Sequence, residues 1–554
     1  MLLTGAQIFV ETLVEQGVDT LFGYPGGTVL NLYDELYGNQ DRIHSVLTAD
    51  ECGAAHAADG YARATGRPGV VLATSGPGAT NLVTGIATAY MDSVPLVAFT
   101  GNVSTTVLGR DGFQEAYIEG ITMSVTKHSV TVRRVEDLAD SIRAAFRIAQ
   151  SGRKGPVLVD IPKDLTAARC EFAPAPPAEP DREPPCDPSA AAEIAALLDQ
   201  AERPVVYFGG GVPAAGAEEL LKALLRKADL PAVHTLMAAG TLRYDDPMNL
   251  GLLGMHGRYS ANRAVDEADL LLAVGARFSD RVALQPERFA RRARVVQIDI
   301  DASEIGKNVP AEVSLVADAA RALEALAPLV RERRRDGWLA QIRRWQSRDY
   351  HPAGRPEALL PHQILSEICR QSGPDTVYVT DVGQHQMWAA QYLRHTRSRG
   401  FLTSGGLGTM GYGYGAAIGA QMGLGPRQRV VMLTGDGSFH MNLNEACTAV
   451  SNRLPIITVI FNNQVLGMVR QWQSLFYQQR FSATDPCRKT DFVKVAEGFG
   501  LPGYRCETME QFSAAFSQAL AAEGPVWIEC MIGKDEVVLP MIPSGGSVDD
   551  IIMK

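Results

Sequence analysis

Short apolar runs rich in Val, Ile and Leu recur along the chain and alternate with patterns typical of helices. Continuous runs of this length are typical of strands that are buried on both faces of a parallel sheet. A strand followed by a helix, repeated many times, predicts doubly wound α/β domains. The predicted strands lie in 69–76, 95–101, 156–162, 204–210, 269–276, 294–301, 376–383, 429–437 and 454–463.

Two stretches interrupt this pattern and indicate domain boundaries. Residues 171–188 contain seven prolines, which predicts a semi-rigid extended linker. Residues 331–360 begin with a basic stretch and continue as a polar segment with prolines, and we assign 336–354 to a second linker. The prediction is therefore three α/β domains, over 1–170, 189–335 and 355–554.

Composition narrows the class of protein. With 46% hydrophobic and 21% charged residues and a net charge of −10, the chain of 554 residues is typical of an ordinary globular protein. The acidic balance argues against nucleic acid or an anionic membrane as a partner. Eight cysteines without a CxxC pair indicate reduced thiols, and the absence of Lys and Arg before Arg42 argues against a signal peptide. We therefore expect a cytoplasmic protein.

The uncharged segment 405–425 is long enough to suggest a membrane span, but it contains nine glycines and few large apolar side chains. A span needs sustained apolar bulk. We expect a glycine-rich loop and a buried helix here, and no insertion in a membrane.

Several predicted strands end in glycine-rich turns, and two of these turns carry oxygen ligands. LTGDGSFHMN begins at Leu433 and FNNQVLGMV begins at Phe461, and each follows a buried apolar run. Asp436, Asn463 and a backbone carbonyl near Val465 would supply oxygen donors for Mg²⁺, which keeps other positions for water and phosphate. The helix after GDG would point its N–H groups at the same diphosphate.

This pair of motifs resembles the diphosphate-binding motif of thiamine diphosphate enzymes. The resemblance covers almost the whole chain and is closest to the catalytic subunits of the acetolactate (acetohydroxyacid) synthase family. It implies an N-terminal pyrimidine-binding domain, a central FAD-type domain and a C-terminal diphosphate- and Mg²⁺-binding domain. The matching motifs include FGYPGG (22–27), GYARATG (60–66), TSGPGATN (74–81), GPVLVDIPKD (155–164), GMHG (254–257), VGARF (274–278), TDVGQHQMWAAQ (380–391), GLGTMGYG (406–413) and GMVRQWQ (467–473).

Glu51 is the residue that the resemblance makes most important. It stands near the start of a segment of mostly small residues, TADECGAAHAADGYARATG (48–66). In the family a glutamate at this position contacts N1′ of the cofactor's aminopyrimidine and assists the removal of the proton from the thiazolium C2. A slim helix would allow the pyrimidine ring to come close. The alternative interpretation is an acid favoured by the helix dipole.

The resemblance also implies residues that bind the cofactors. For thiamine diphosphate these are, besides Glu51, Pro25, Gly26, Val382, Gly383, Gln384, His385, Gly408, Met410, Gly435, Asp436, Gly437, Ser438, Asn463, Gly467 and Met468. Met410 would lie under the bend of the cofactor. For a structural FAD they are Gly209, Gly210, Gly211, Met255, His256, Gly275, Arg277, Asp299 and Asp301.

Further residues are implied for the substrates. Phe113 and Gln114 in GFQE resemble groups that reach the bound intermediate, and Lys163 resembles a lysine at the substrate channel. Arg277 and Trp472 resemble the pair that selects the second 2-ketoacid, because a guanidinium can hold a carboxylate and an indole face favours an extra methylene.

The sequence also departs from the family pattern. Asp50 and Cys52 replace a His and a Gln beside Glu51, and Tyr414–Gly415 replace an apolar residue and a Pro. Gly112 and Ser279 replace an Ala and an Asp.

The implied activity is decarboxylation of pyruvate and ligation to a second 2-ketoacid. Pyruvate as acceptor would give 2-acetolactate, and 2-ketobutyrate would give 2-aceto-2-hydroxybutyrate, both precursors of branched-chain amino acids. The family places active sites across a homodimer, alone or as a dimer of dimers, and leaves open a small regulatory subunit. Two alternatives stay open: another enzyme of this fold, a pyruvate oxidase or 2-ketoacid decarboxylase, and a binding protein without catalysis.

Overall fold

The computed structural model describes residues 1–183, 185–355 and 358–554. Pro184, in the predicted first linker, and Pro356 and Glu357, at the predicted start of the third domain, lie outside the described residues. Within those three ranges, no helix is both long enough and apolar enough to cross a membrane.

The first part of the chain builds a six-stranded sheet in the order β3-β2-β4-β5-β7-β6, and all of its strand pairs are parallel. The short strands β1 and β8 pair antiparallel beside it. The elements are β1 (Leu2–Thr4), α1 (Gly5–Glu15), β2 (Thr20–Tyr24), α2 (Leu30–Tyr37), β3 (His44–Leu47), α3 (Glu51–Thr65), β4 (Gly69–Ala73), α4 (Pro77–Asn81), α5 (Val83–Met91), β5 (Leu96–Asn102), α6 (Ile118–Thr122), β6 (His128–Thr131), α7 (Leu138–Gln150), β7 (Pro156–Pro162), α8 (Lys163–Ala167) and β8 (Arg169–Glu171).

The central part of the chain forms a second parallel sheet in the order β11-β10-β9-β12-β13-β14. Renumbered from its own first strand, this order is 3-2-1-4-5-6, that of doubly wound dinucleotide-binding sheets. Its elements are α9 (Pro188–Gln200), β9 (Pro204–Phe208), α10 (Gly211–Ala215), α11 (Glu218–Lys227), β10 (Ala232–His234), β11 (Asn249–Leu252), α12 (Tyr259–Glu267), β12 (Leu270–Val274), β13 (Arg294–Asp299), β14 (Val313–Val316), α13 (Ala319–Leu326) and α14 (Asp336–Gln346).

The helix α14 differs from the expectation of a linker over 336–354. Its Trp338 and Ile342 are buried in the core of the second sheet, and the Trp338 indole donates to the carbonyl of Pro204 at 3.1 Å. The helix forms here because its apolar face packs on that sheet. The charged residues around that face made the helix difficult to predict from the sequence.

The last part of the chain builds a third parallel sheet in the order β16-β15-β17-β18-β20-β19. Renumbered, this is the order of the first sheet. Three parallel six-stranded sheets confirm the predicted α/β class. The elements are α15 (Pro361–Gln371), β15 (Val377–Thr380), α16 (Gln384–Tyr392), β16 (Phe401–Leu402), α17 (Tyr412–Leu424), β17 (Val430–Gly435), α18 (Asp436–Phe439), α19 (Ala446–Ser451), β18 (Ile456–Asn462), α20 (Gly467–Phe476), α21 (Phe492–Phe499), β19 (Gly503–Cys506), α22 (Met509–Ala521) and β20 (Val526–Met531).

Two slim helices join the first and third sheets within the chain. α3 and α17 are rich in Ala and Gly, and their backbones approach each other closely. A Cβ at Gly60 would overlap the carbonyl of Ala416, and a Cβ at Gly419 would overlap that of Ala57. The small residues of the segment 48–66 are therefore explained at least in part by helix packing.

Candidate active site

Loops that follow four neighbouring strands of the third sheet meet at its carboxyl edge, where ligands bind in such sheets. Residues that the sequence assigned to thiamine diphosphate or to its metal ion lie in each of these loops. They are Gly408 and Met410 after β16, Val382, Gly383, Gln384 and His385 after β15, Gly435, Asp436, Gly437 and Ser438 at the end of β17, and Asn463, Val465, Gly467 and Met468 after β18.

Asp436 is buried and forms no ion pair among the residues that the structure describes. Burial raises the pKa of its carboxyl to about 6, and the backbone N–H of Asn463 partly opposes this shift. The Asn463 side-chain oxygen accepts from the backbone of Val465 at 3.2 Å. No group of three or more His, Cys, Asp or Glu suited to a metal occurs in the described ranges. One carboxylate among neutral oxygens is a donor set that fits Mg²⁺ with phosphate completing the shell.

The loop after β15 supplies a polar cradle beside these donors. The Gln384 side-chain oxygen accepts from Asn463 at 3.3 Å, and a Cβ at Gly467 would overlap it. Burial lowers the pKa of His385 to about 3, so the imidazole is neutral near pH 7. Its Nε2 is buried without a partner among the described atoms. A neutral imidazole has one N–H to donate, and a phosphate oxygen would be a suitable acceptor for it.

The loop that carries Met410 is held from both sides. The Ser438 hydroxyl accepts from the backbone of Gly411 at 3.1 Å. The Asp92 carboxylate, from the first sheet, accepts from the amides of Gly405 and Gly406 at 3.0 and 2.7 Å. Met410 itself is half-buried. Sequence reasoning missed Asp92, because nothing in its neighbourhood marks it as a loop anchor.

Glu51 lies at the carboxyl edge of the first sheet, in the first turn of α3. Its carboxylate accepts from the Asn81 side chain at 3.0 Å. A Cβ at Gly78 would lie 3.1 Å from the same carboxylate, so the TSGPG loop makes room for it. Burial, and secondly the charge of Glu51, raise the pKa of Tyr33. The half-buried Glu51 therefore faces polar residues of its own sheet.

Other predicted residues follow neighbouring strands of that sheet. Pro25 and Gly26 follow β2, and a Cβ at Gly26 would lie 2.5 Å from Thr74. Gln114 has a positive φ of 60° and packs its backbone against Gly76 of the TSGPG loop, which brings it towards Glu51. Phe113 and Lys163 are exposed at the same edge. The Phe113 side chain is 90% exposed.

The residues predicted for the flavin lie at the carboxyl edge of the second sheet. Gly209, Gly210 and Gly211 follow β9, Met255 and His256 follow β11, Gly275 and Arg277 follow β12, and Asp299 and Asp301 are at or after the end of β13.

The glycines of this edge have a packing role. A Cβ at Gly211 would lie 2.6 Å from the Cα of Gly275, and the Gly211 N–H donates to the Gly275 carbonyl at 3.0 Å. Two buried polar atoms beside them, Thr235 Oγ1 and His256 Nδ1, have no partner among the described atoms. These orphaned atoms fit the polar parts of a nucleotide cofactor, whereas Asp301 already caps the turn at Ser303.

Arg277 and Trp472 have different partners in the structure. The Arg277 guanidinium donates to the carbonyl of Met91 at 2.7 Å. Trp472 packs in a small cluster with Met255, Leu539 and Met541. The selecting pair therefore stays a prediction that would need a substrate between the two side chains.

The segment 536–542, which sequence reasoning missed, contacts residues predicted for thiamine diphosphate and for FAD. Gln384 donates to the carbonyl of Glu536 at 2.7 Å, and Gln471 donates to that of Val538 at 3.0 Å. The N–H of Ile542 donates to the carbonyl of Met255 at 2.8 Å. Arg281 also went unassigned, although its backbone carbonyl accepts from Met255 at 2.8 Å. Arg281 ends the GARFSDR stretch (275–281) of the predicted flavin region, whereas the segment 536–542 has no local motif that would have revealed it.

Two of the departures from the family pattern, Asp50 and Tyr414, have structural reasons. Asp50 is the N-cap of α3, and its carboxylate accepts from Cys52 and Gly53 at 2.6 and 3.3 Å. Burial, with Asp50 nearby, raises the pKa of the Cys52 thiol to about 12, so it stays protonated. The Tyr414 hydroxyl accepts from the Trp527 indole at 3.0 Å in the hydrophobic core beside the third sheet. Nothing in the structure explains Gly112 or Ser279.

Models of three domain families match the chain in order. They are the thiamine pyrophosphate enzyme N-terminal TPP binding domain over residues 3–121, the central domain over 191–326 and the C-terminal TPP binding domain over 381–530. Thiamine pyrophosphate is another name for thiamine diphosphate, so the fold and the matched domains define a thiamine diphosphate-dependent enzyme.

Full-length relatives specify the family. The acetolactate synthase large subunit of Parasynechococcus marenigrum is 45% identical over 98% of this chain and 90% of the relative. The acetolactate synthase isozyme 2 large subunit of Escherichia coli is 44% identical over 100% of both chains. The mitochondrial acetolactate synthase catalytic subunit of Saccharomyces cerevisiae is 42% identical over 99% of this chain and 84% of the relative. The chain belongs to the acetolactate synthase family, which confirms the resemblance drawn from its motifs.

Proposed function

We propose that this chain catalyses the decarboxylation of pyruvate and its ligation to a second 2-ketoacid, giving 2-acetolactate or 2-aceto-2-hydroxybutyrate for branched-chain amino acids. The observation that carries the proposal is the coincidence of full-length family membership with an intact Glu51 and an intact Asp436–Asn463 pair at the carboxyl edges of two sheets. A binding protein without catalysis would have no need of Glu51.

Different residues of the chain would bind the metal ion, orient the diphosphate and hold the proton. Asp436, Asn463 and the Val465 carbonyl would hold Mg²⁺, and Gln384 and His385 would orient the diphosphate. When bound, thiamine diphosphate supplies the thiazolium carbon that adds to the 2-ketoacid and accepts the electron pair released with CO₂. Glu51 would hold a proton at pyrimidine N1′, which a general acid–base group can do to large effect.

Met410 would support the bend of the cofactor, with its loop held by Asp92. Gln114 and Phe113 would lie near the reacting carbon, and Lys163 would lie at the entrance.

We propose that each site is shared between two copies of the chain. Within one chain, the described contacts of Glu51 are with the first sheet and those of Asp436 are with the third. Large apolar side chains are exposed around both edges, with exposed fractions of 90% for Phe113, 65% for Tyr117 and 58% for Met441. Patches of this kind indicate an interface. A homodimer, alone or within a dimer of dimers, would cover them.

We further propose a division into domains at 1–170, 189–335 and 355–554, with 171–188 as the first linker and 336–354 as a second connection whose helix α14 packs on the central sheet. The central domain would hold FAD as a structural cofactor, since carboligation transfers no net electrons. The strand order of its sheet and the orphaned Thr235 and His256 atoms support this. Relatives named large subunits support a small regulatory subunit as a further partner.

The test is a product assay on the purified chain with Mg²⁺, thiamine diphosphate and FAD. Pyruvate alone should give 2-acetolactate, and pyruvate with 2-ketobutyrate should give the mixed product as well. Free acetaldehyde as the main product would indicate a decarboxylase, and oxygen uptake with peroxide would indicate an oxidase. A protein that binds the cofactor but releases no CO₂ from any 2-ketoacid would contradict the proposal altogether.

A further inference from the structure

Glu445 is a fully buried acid in the part of the chain that builds the third sheet. Its carboxylate contacts the residues just before α3, the helix that carries Glu51. It ends a short turn, Leu443–Glu445, in the chain that follows α18. The backbone N–H of Ala49 donates to both of its carboxylate oxygens at 3.2 Å, and the Thr448 hydroxyl donates to one at 2.6 Å. Burial raises the pKa of Glu445 to about 7, and these hydrogen bonds oppose the shift.

The first turn of α3 is shaped around this carboxylate. A Cβ added at Gly53 would overlap the Glu445 carboxylate, so glycine leaves the space that it occupies. Asp50 caps the same turn from within the helix by accepting from the amides of Cys52 and Gly53. A helix N-terminus favours negative charge, which stabilises a buried acid there. Two carboxylates, one local and one from the third sheet, therefore fix the turn that begins with Glu51.

We propose that Glu445 is a positioning residue for Glu51. It acts through the Ala49 amide, two residues before Glu51, and sets the orientation in which the Glu51 carboxylate meets Asn81 and Gly78. The inference rests on the proposed function, because it assumes that Glu51 serves the reaction. It also explains why an acid is buried between the two sheets, where an apolar side chain would leave the Ala49 amide without a partner.

The experiment compares E445Q and G53A with the parent chain, each loaded with Mg²⁺, thiamine diphosphate and FAD. The glutamine offers one oxygen where the acid offered two. The alanine displaces the carboxylate without removing it, and otherwise favours a helix. Both variants should speed hydrogen–deuterium exchange at the amides of Ala49 and Asp50. Both should lower kcat about tenfold to hundredfold, with the KM for pyruvate near its parent value, because orientation rather than binding is lost.

Two further variants make the result specific. The double variant G53A/E445Q should be no worse than either single variant, because both disrupt one contact. The matched control is E367Q, which removes a carboxylate that joins α15 to α22 through Ser513. It should leave kcat and the exchange of Ala49 unchanged. E445D keeps the charge on a shorter side chain and should restore part of the lost kcat.

Full kcat in E445Q and G53A, or unchanged exchange at Ala49, would overturn the positioning role. If E445Q does not fold, G53A decides, since it keeps every buried polar group. E51Q separates the two proposals. An inactive E51Q beside a fully active G53A contradicts only the role of Glu445, whereas a fully active E51Q contradicts the proposed function.

Discussion

Glu51 and Asp436 are single acids in contrasting surroundings. Glu51 is half-buried among polar groups of its own sheet, whereas Asp436 is buried with a raised pKa of about 6. The polar surroundings of Glu51 suit an acid that shares a proton with a ligand. The buried position of Asp436 suits an acid whose charge a metal ion would balance.

Substitution of Glu51 by Gln should lower the rate of CO₂ release from pyruvate by roughly 10²- to 10⁴-fold, the usual contribution of a general acid–base group. The amide keeps the shape of the side chain, so the unfolding midpoint should stay close to that of the parent. Single-turnover CO₂ release and thermal unfolding of the same samples would measure both. An unaltered rate would refute the role proposed for this acid.

Asp160 predicts a pH dependence of stability. It is fully buried and accepts from Thr100 and Thr131 at 2.7 and 3.3 Å, and burial raises its pKa from 3.8 to about 6. The folded state therefore binds this proton more tightly than the unfolded state. The stability that the proton adds is complete below about pH 4 and is lost as the pH rises to about 6, by at most roughly 3 kcal/mol.

D160N removes this titration. The free energy of unfolding of D160N, measured in urea from about pH 4 to about pH 7, should fall less with rising pH than that of the parent. Parallel curves for the two proteins would show that Asp160 has no raised pKa. The comparison cancels the titration of the other groups, which both proteins share.

At the scale of helices and strands, packing explains why α3 and α17 are slim. G60A should destabilise the protein by about 1–3 kcal/mol, because the new methyl group overlaps the Ala416 carbonyl. The matched control is G498A, in α21, where nothing lies within 4 Å of an added Cβ. It should stabilise the protein by roughly 0.5–1 kcal/mol. Urea unfolding of both variants checks the opposite signs, and equal effects would deny the tight contact.

The strands were the most predictable elements, since a run such as GVVLA (69–73) has no polar side chain and forms β4. The GDG and NN motifs could be recognised as easily as the strands, because the residues that would act together there, Asp436 and Asn463, are close in the sequence. Glu445, Asp92 and the segment 536–542 could not be found in this way. Each contacts at least one residue more than a hundred positions away, and only the packing of the sheets brings the two together.

At the scale of the whole molecule, shared sites predict complementation between inactive chains. E51Q and D436N should each be inactive alone. A mixed dimer of the two has one site with both defects and one site with neither. Random mixing in equal amounts should therefore restore about a quarter of the parent activity. Refolding the two variants together and assaying 2-acetolactate measures this, and the variants refolded separately and then combined serve as the control. No recovery would place both acids in the same chain's site.

The contact between α3 and α17 also bears on how a 2-ketoacid enters. Because the backbones of α3 and α17 touch at Gly60 and Gly419, the first and third sheets cannot move apart without breaking this helix–helix contact. Admission and release of substrate would then take place at the rim of the site, which the loop around Phe113 and the segment 536–542 form.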